Sequence, residues 1–245
     1  MEEVYALKVR IKFSKFGNMK FIGHLDTMRY FQKAMRRADI DIAYSAGFSP
    51  HQIMSFAAPL GVGITSGGEY LDIEVHSTKS TKESVSMLNA AMVNGFSVLD
   101  YRRLPDNAKT AMSIVTCADY TLTYREGYET DRSFEELSEA VHAFYEVPEK
   151  IEIIKQTKKS EKIIDLKQLV YDFKVLEVEG KPAFYLKVST GSTDNIKPEL
   201  VLEHFYKYLG LELDDFTFRI HRHDVYTGSA TEGFCSLNDM GEVIP

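Results

Sequence analysis

From Val4 to Phe13 apolar and charged residues alternate, with Leu7, Val9, Ile11 and Phe13 on one side and Lys8, Arg10 and Lys12 on the other. That is the period of a strand with one buried face. Gly17 and Asn18 turn the chain, and from Leu25 to Ala38 the period becomes helical. Leu25, Met28, Phe31, Met35 and Ala38 form the apolar stripe, and Asp26, Arg29, Lys33 and Arg37 lie opposite. Ile53–Ala57 reads as a short strand. Gly67-Gly68 then turns the chain into a further strand at Tyr70–His76. Thr81 opens a second amphipathic helix through Val85, Leu88, Ala91 and Met92, which Asn94-Gly95 closes before a strand at Phe96–Tyr101. The order β-α-β-β-α-β predicts a ferredoxin-like unit over residues 1–105.

After Leu104-Pro105-Asp106-Asn107 the order recurs less regularly over residues 106–227. Strands are predicted at Ile114–Tyr124 and Ile151–Gln156, and between them Ser133 caps a helix through Tyr145, with Glu136 completing a capping box. An extra short segment falls at Ile163–Leu169. A hairpin of Tyr171–Glu177 and Ala183–Val188 bends at Glu179-Gly180, followed by a helix from Pro198 to Leu209 and a last strand at Phe216–His221. The fold class is therefore α+β, two ferredoxin-like units in tandem, with a weakly patterned tail over residues 228–245 that orders where it docks.

With 245 residues and 44% hydrophobic composition the chain can support two such cores. No apolar run approaches the ~18 residues of a membrane span, and the start Met1-Glu2-Glu3 is acidic, so a cytoplasmic location is expected. Two cysteines, Cys117 and Cys235, are too few for a disulfide framework or an iron–sulfur site, so no cofactor of the chain's own is predicted. The net charge of −7 argues against nucleic acid as a partner, yet residues 1–60 hold 9 basic and 5 acidic residues, and all of the excess acid lies beyond them.

That basic quarter contains the candidate chemistry. His24 and Asp26 lie at the start of the first helix, where free backbone N–H groups favour an anion, and Lys20 and Arg29 stand close by. Arg29, Lys33, Arg36 and Arg37, with Lys8, Arg10 and Lys12, could track phosphates, while Tyr30, Tyr44 and Phe48 offer stacking faces for unpaired bases. A solvated basic helix face is the competing reading. His24 and His51 are the candidates for proton transfer, as the acid–base pair of a metal-free ribonuclease. The stretch Gly61–Gly68 lacks the Lys-Ser/Thr ending of a phosphate loop and reads as a hairpin bend, with Glu69 directly after it. His221 and His223 would share one strand face, but no third metal ligand is evident nearby, so no metal site is assigned. Lys158–Lys162 reads as a solvated basic loop.

The runs Lys20-Phe-Ile-Gly-His-Leu-Asp26, Met28-Arg29, Arg36-Arg37-Ala38, Tyr44–His51, Pro59–Gly63 and Glu69-Tyr-Leu-Asp72 resemble the bacterial radical-SAM-linked protein family, a domain of unknown function. The likeness is strong through about residue 76 and continues more weakly to about residue 226, with Ile164-Asp165-Leu166-Lys167 as a second block. Many members have Ser where Gly23 stands, so no hydroxyl is essential there. Members occur fused to or encoded beside a radical S-adenosylmethionine enzyme, and some are joined to ribonuclease E/G-type proteins. Because this chain lacks the enzyme's three-cysteine motif, the resemblance implies the accessory half. The tandem fold is also similar to that of CRISPR repeat-processing endoribonucleases, an analogy that transfers no activity.

Three readings follow. The first is an accessory RNA-binding module serving a radical S-adenosylmethionine partner in RNA modification or processing. The second is a metal-independent endoribonuclease using His24 and His51, and the third a protein-binding scaffold that docks the partner through an exposed apolar patch.

Overall fold

The computed structural model describes residues 6–156 and 161–245. The basic loop expected at Lys158–Lys162 falls largely outside the described residues, as does the start of the first strand at Val4. In chain order the elements begin β1 (Leu7–Lys15), α1 (His24–Arg37), β2 (Met54–Phe56), β3 (Thr65–Val75), α2 (Thr81–Ala91), β4 (Phe96–Arg103) and α3 (Ala111–Ile114). They continue with β5 (Cys117–Tyr124), α4 (Phe134–Val141), β6 (Glu152–Gln156), β7 (Glu161–Asp165), β8 (Val170–Val178), β9 (Lys181–Ser189), α5 (Pro198–Tyr208), β10 (Phe218–Ser229), β11 (Gly233–Ser236) and β12 (Glu242–Val243). The fold is α+β.

Two compact units emerge, residues 1–116 with 224–245, and residues 117–223. The boundary thus lies beyond the one expected at residue 105, and the tail belongs to the first unit. Non-local partners hold it there. β11 pairs with the end of β10, β12 pairs with β4, and Leu237 is fully buried. Arg10 donates to the Leu237 carbonyl at 3.2 Å, and Ile244 N donates to Thr81 Oγ1 at 2.9 Å.

In the first unit β1 lies between β4 and β3, and β2 flanks β3, every pairing antiparallel. The strand order is β4-β1-β3-β2. Alternation drives this layer: Val9, Ile11 and Phe13 of β1 and Leu71, Ile73 and Val75 of β3 turn to one side, where they meet Phe31 and Met35 of α1 and Leu88 of α2. The Phe31 ring sits 4.5 Å from Phe13 and 5.5 Å from Phe96. α2 begins with a complete capping box of Ser80 and Glu83. β3 starts earlier than expected, at Thr65, so Gly67 and Gly68 lie within the strand.

Gly95 is a position where side-chain absence matters. Its φ is +105°, and a Cβ there would lie 2.6 Å from Met19 Cγ and 2.8 Å from the Phe16 carbonyl oxygen. Gly95→Ala is therefore expected to destabilise the protein by about 1–3 kcal/mol, read as a lower denaturant midpoint.

In the second unit β9 pairs antiparallel with both β5 and β8, and residues 218–223 of β10 flank β5. The order is β10-β5-β9-β8. α4 has the predicted Ser133–Glu136 capping box and continues through one π-type turn to Glu146. The buried rings of Phe144, Phe173, Phe184, Phe205 and Phe218 join α4 and α5 to the sheet. The extra segment is now placed: β7 pairs with β6 in a separate two-stranded hairpin inserted between α4 and β8.

Candidate functional site

α1 begins without a side-chain cap. Gly23 holds the N-cap position, and its carbonyl accepts from Thr27 N and Thr27 Oγ1, each at 3.0 Å. His24 is the first helical residue, half-buried, its ring edge-on to Phe56 at 5.4 Å. Beside it are two buried charged residues, Lys15 (2% exposed) and Glu69 (5% exposed). Lys15 Nζ donates to the Ile22 carbonyl at 2.8 Å. His24, Lys15, Thr27, Phe56, Leu60 and Glu69 share in lining a cavity of about 10 Å³, room for roughly one water molecule. In sequence Glu69 stands only as the residue after the glycine loop, and Lys15 lies in the turn beyond the first strand. Both share the parity of the core residues Phe13 and Leu71, but they lie beyond the strand ends expected at Phe13 and Tyr70, so this parity emerges only with the longer β1 and β3 of the structure.

His51 lies elsewhere. It is exposed, its Nδ1 is 2.8 Å from Ser45 Oγ, and its backbone N donates to the same oxygen at 3.1 Å. Between His51 and Phe56 the chain is extended, bonded at Gln52 to Tyr44 and at Ile53 to Ala43. Five residues of extended chain cover roughly 16 Å, and His24 lies against the far end. Among the described residues the two imidazoles make no direct contact: His24 packs on Phe56 and His51 on Ser45.

The basic surface is also smaller than expected. Lys8, Arg10 and Lys12 project from the face of β1 opposite α1 and are engaged within the protein. Lys12 Nζ pairs with Asp224 at 2.8 Å and lies 5.6 Å from the Tyr70 ring centroid, so it is not a free phosphate contact. Tyr70 donates to Asp224, which also accepts from Ser236 at 2.9 Å. Arg10, 1% exposed, is held by Asp72, and Lys8 donates to the carbonyls of Asp106 and Ala108.

What remains is the outer face of α1. Asp26 and Arg29 are exposed and pair at 3.2 Å. Arg37 donates to the Ala91 carbonyl at 2.9 Å and lies over the Tyr30 ring, tying α1 to the end of α2. Lys33 and Arg36 are exposed, and among the described residues neither has an intramolecular side-chain partner. Lys20 is half-buried, its ammonium 5.0 Å from the Phe21 ring centroid. Tyr44 is half-exposed, and Phe48 is fully exposed in the loop beyond it.

In the second unit His221 and His223 do share a strand face, their rings 4.9 Å apart. Among the described residues no group of three or more His, Cys, Asp or Glu side chains is arranged for a metal ion. Burial, and then the neighbouring His223, push the His221 pKa below its ordinary value, while Asp119 opposes the shift. The unfolded chain therefore takes up this proton first as pH falls below about 6.5, so the contribution present above that pH is lost through the folded pKa. His221→Asn is expected to flatten the pH dependence of the unfolding midpoint below about 6.5.

A family model described as an uncharacterized protein conserved in bacteria (DUF2344) matches residues 8–198. The chain belongs to that bacterial family. The match contains α1, His24, His51, Lys15 and Glu69, and ends before β10. No curated protein matches the chain. Among solved structures, it is similar to a chain in the crystal structure of a Cbf5-Nop10-Gar1 complex, with 12% identity, a TM-score of 0.48, and coverage of 89% of this chain and 48% of that chain. It thus spans about half of that protein's length. It is also similar to an unknown protein from Galdieria sulphuraria, with 13% identity, a TM-score of 0.25, and coverage of 89% and 98%. Among the described residues no helix is long and apolar enough to cross a membrane.

Proposed function

We propose that this chain is an accessory RNA-binding module acting with a radical S-adenosylmethionine enzyme in RNA modification or processing, and that both of its units are ferredoxin-like. The carrying observation is the outer face of α1, where Lys33 and Arg36 stand exposed and, among the described residues, without side-chain partners. Unpaired surface cations in a row on a helix are available to phosphates, whereas paired ones must first give up a partner. The exposed rings of Tyr44 and Phe48 supply stacking faces of the kind that single-stranded RNA uses. For the fold, the support is the strand order: first strand beside last, third beside first, second at the edge, in each unit once the β6–β7 hairpin is set aside.

The partner is inferred from the sequence resemblance, together with two cysteines that cannot complete a three-cysteine cluster motif. A specific surface suits its docking: Phe21, Leu25 and Val62 are each 60% or more exposed, and the Val62 loop is tied to Lys20 through Gly63 N. Affinity purification of the intact protein from its native cell tests the proposal. It predicts recovery of both RNA and a radical S-adenosylmethionine enzyme. Recovery of the enzyme alone would leave a scaffold, and recovery of neither would end the proposal.

A further inference from the structure

We infer that the helix-free face of the second unit's sheet is a binding face for unpaired RNA, in which the His223 ring, backed by Tyr185 and His221, stacks on a base and Arg219 meets phosphate. The inference rests on the RNA-binding reading and adds a site beyond α1.

α4 and α5 pack on the side of the sheet that carries Phe173, Phe184 and Phe218. Strand alternation sends the neighbouring residues to the other side. There Thr121 stands opposite Tyr185, Tyr185 opposite Lys174, and Asp119 opposite Lys187. His221 and His223 join this row. Thr121 Oγ1 lies 2.7 Å from His223 Nε2, and the Tyr185 and His223 rings are 6.3 Å apart, tilted by 31°. Tyr185 donates to Asp119 Oδ2 at 3.0 Å, and Lys174 covers the Tyr185 ring at 4.6 Å. Each support is thereby held in place by a neighbour, and the exposed His223 ring presents the open aromatic surface.

The composition of the face selects its ligand. Residues 117–223 hold 15 basic and 21 acidic residues, so the unit as a whole repels a polyanion. On this face the balance reverses: Lys174, Lys187 and Arg219 stand against Asp119 and Asp172, and both carboxylates already accept from Tyr185 and Lys174. Arg219 is exposed and, among the described residues, has no intramolecular side-chain partner. No large apolar side chain is exposed from β5, β8, β9 or residues 218–223 among the described residues, as docking of a protein would favour. Asp119 and Cys117 on this side are buried, so the accessible part is the patch around His223, Arg219 and Lys174, whose ring and cationic groups are what an unpaired nucleotide needs.

The test is photo-crosslinking of the intact protein to a short single-stranded RNA containing 4-thiouridine, with anisotropy measurements on His223→Ala and Arg219→Glu. Crosslinks in residues 219–223 or at Tyr185 are expected, with each variant binding about tenfold more weakly. Arg219 is exposed, so its variant reports binding even where His223→Ala disturbs the strand. Crosslinks confined to the first unit, with both variants binding normally, would overturn this site and leave the α1 reading standing. If the unaltered protein binds no RNA, both fail.

Discussion

Asp72→Ala is expected to destabilise the protein by about 3–5 kcal/mol, the largest single effect we anticipate. Asp72 takes both arms of the Arg10 guanidinium, at 2.7 and 2.9 Å, and its Oδ2 also accepts from Ala111 N at 2.6 Å. Arg10 is 1% exposed and cannot turn to water when its carboxylate is lost, so a guanidinium is left buried without its counter-ion. Replacing both residues, Arg10→Met with Asp72→Leu, removes the charge along with its partner and should cost much less. Urea unfolding of the two variants checks this. A loss under about 1 kcal/mol for Asp72→Ala would mean that water reaches Arg10 after all.

Lys33→Glu with Arg36→Glu is expected to weaken RNA binding by about 10- to 100-fold at low salt. Two phosphate contacts are lost and two repulsions introduced, and the slope of log affinity against log salt should fall by roughly 0.7 for each lost contact on a single strand. Both side chains are exposed and, among the described residues, unpaired, so the unfolding midpoint should hardly move, with a change within about 0.5 kcal/mol. Lys12→Ala should do the reverse. It leaves RNA affinity near that of the unaltered chain and lowers stability, because Lys12 is spent on Asp224. If Lys12→Ala weakens binding more than the α1 pair, the surface has been placed on the wrong side of the sheet.

The contrast between Lys33 and Lys12 marks what could be read from the residues. Periodicity shows which side of an element faces the core, and it places β1, α1, β3, α2 and β4 because each pattern is local, although Leu25, expected on the apolar stripe of α1, is 60% exposed. It says nothing of what covers the other side. Lys12 was misread because its partner lies 212 residues away, and Arg10 because Asp72 is 62 residues away. The tail looked weakly patterned for the same reason: its order comes from Arg10, Thr81 and β4, not from itself. His24 and His51 are linked by residue type alone, and their partners differ, Phe56 for one and Ser45 for the other. Lys15 and Glu69 fall just outside the strands that periodicity marks out, Val4–Phe13 and Tyr70–His76, and their core-facing parity emerges only because β1 runs on to Lys15 and β3 starts at Thr65. His221 and His223 were recognised as sharing a face, but Tyr185, Thr121 and Asp119 reach them only through strand pairing.

The most direct measurement is the equilibrium affinity of the intact protein for short single-stranded RNA by filter binding across a series of salt concentrations. RNA-binding function predicts measurable affinity at low salt, falling linearly on a log–log plot with a slope that the Lys33→Glu/Arg36→Glu variant reduces. No binding at the lowest salt, or binding indifferent to both salt and the variant, would contradict it.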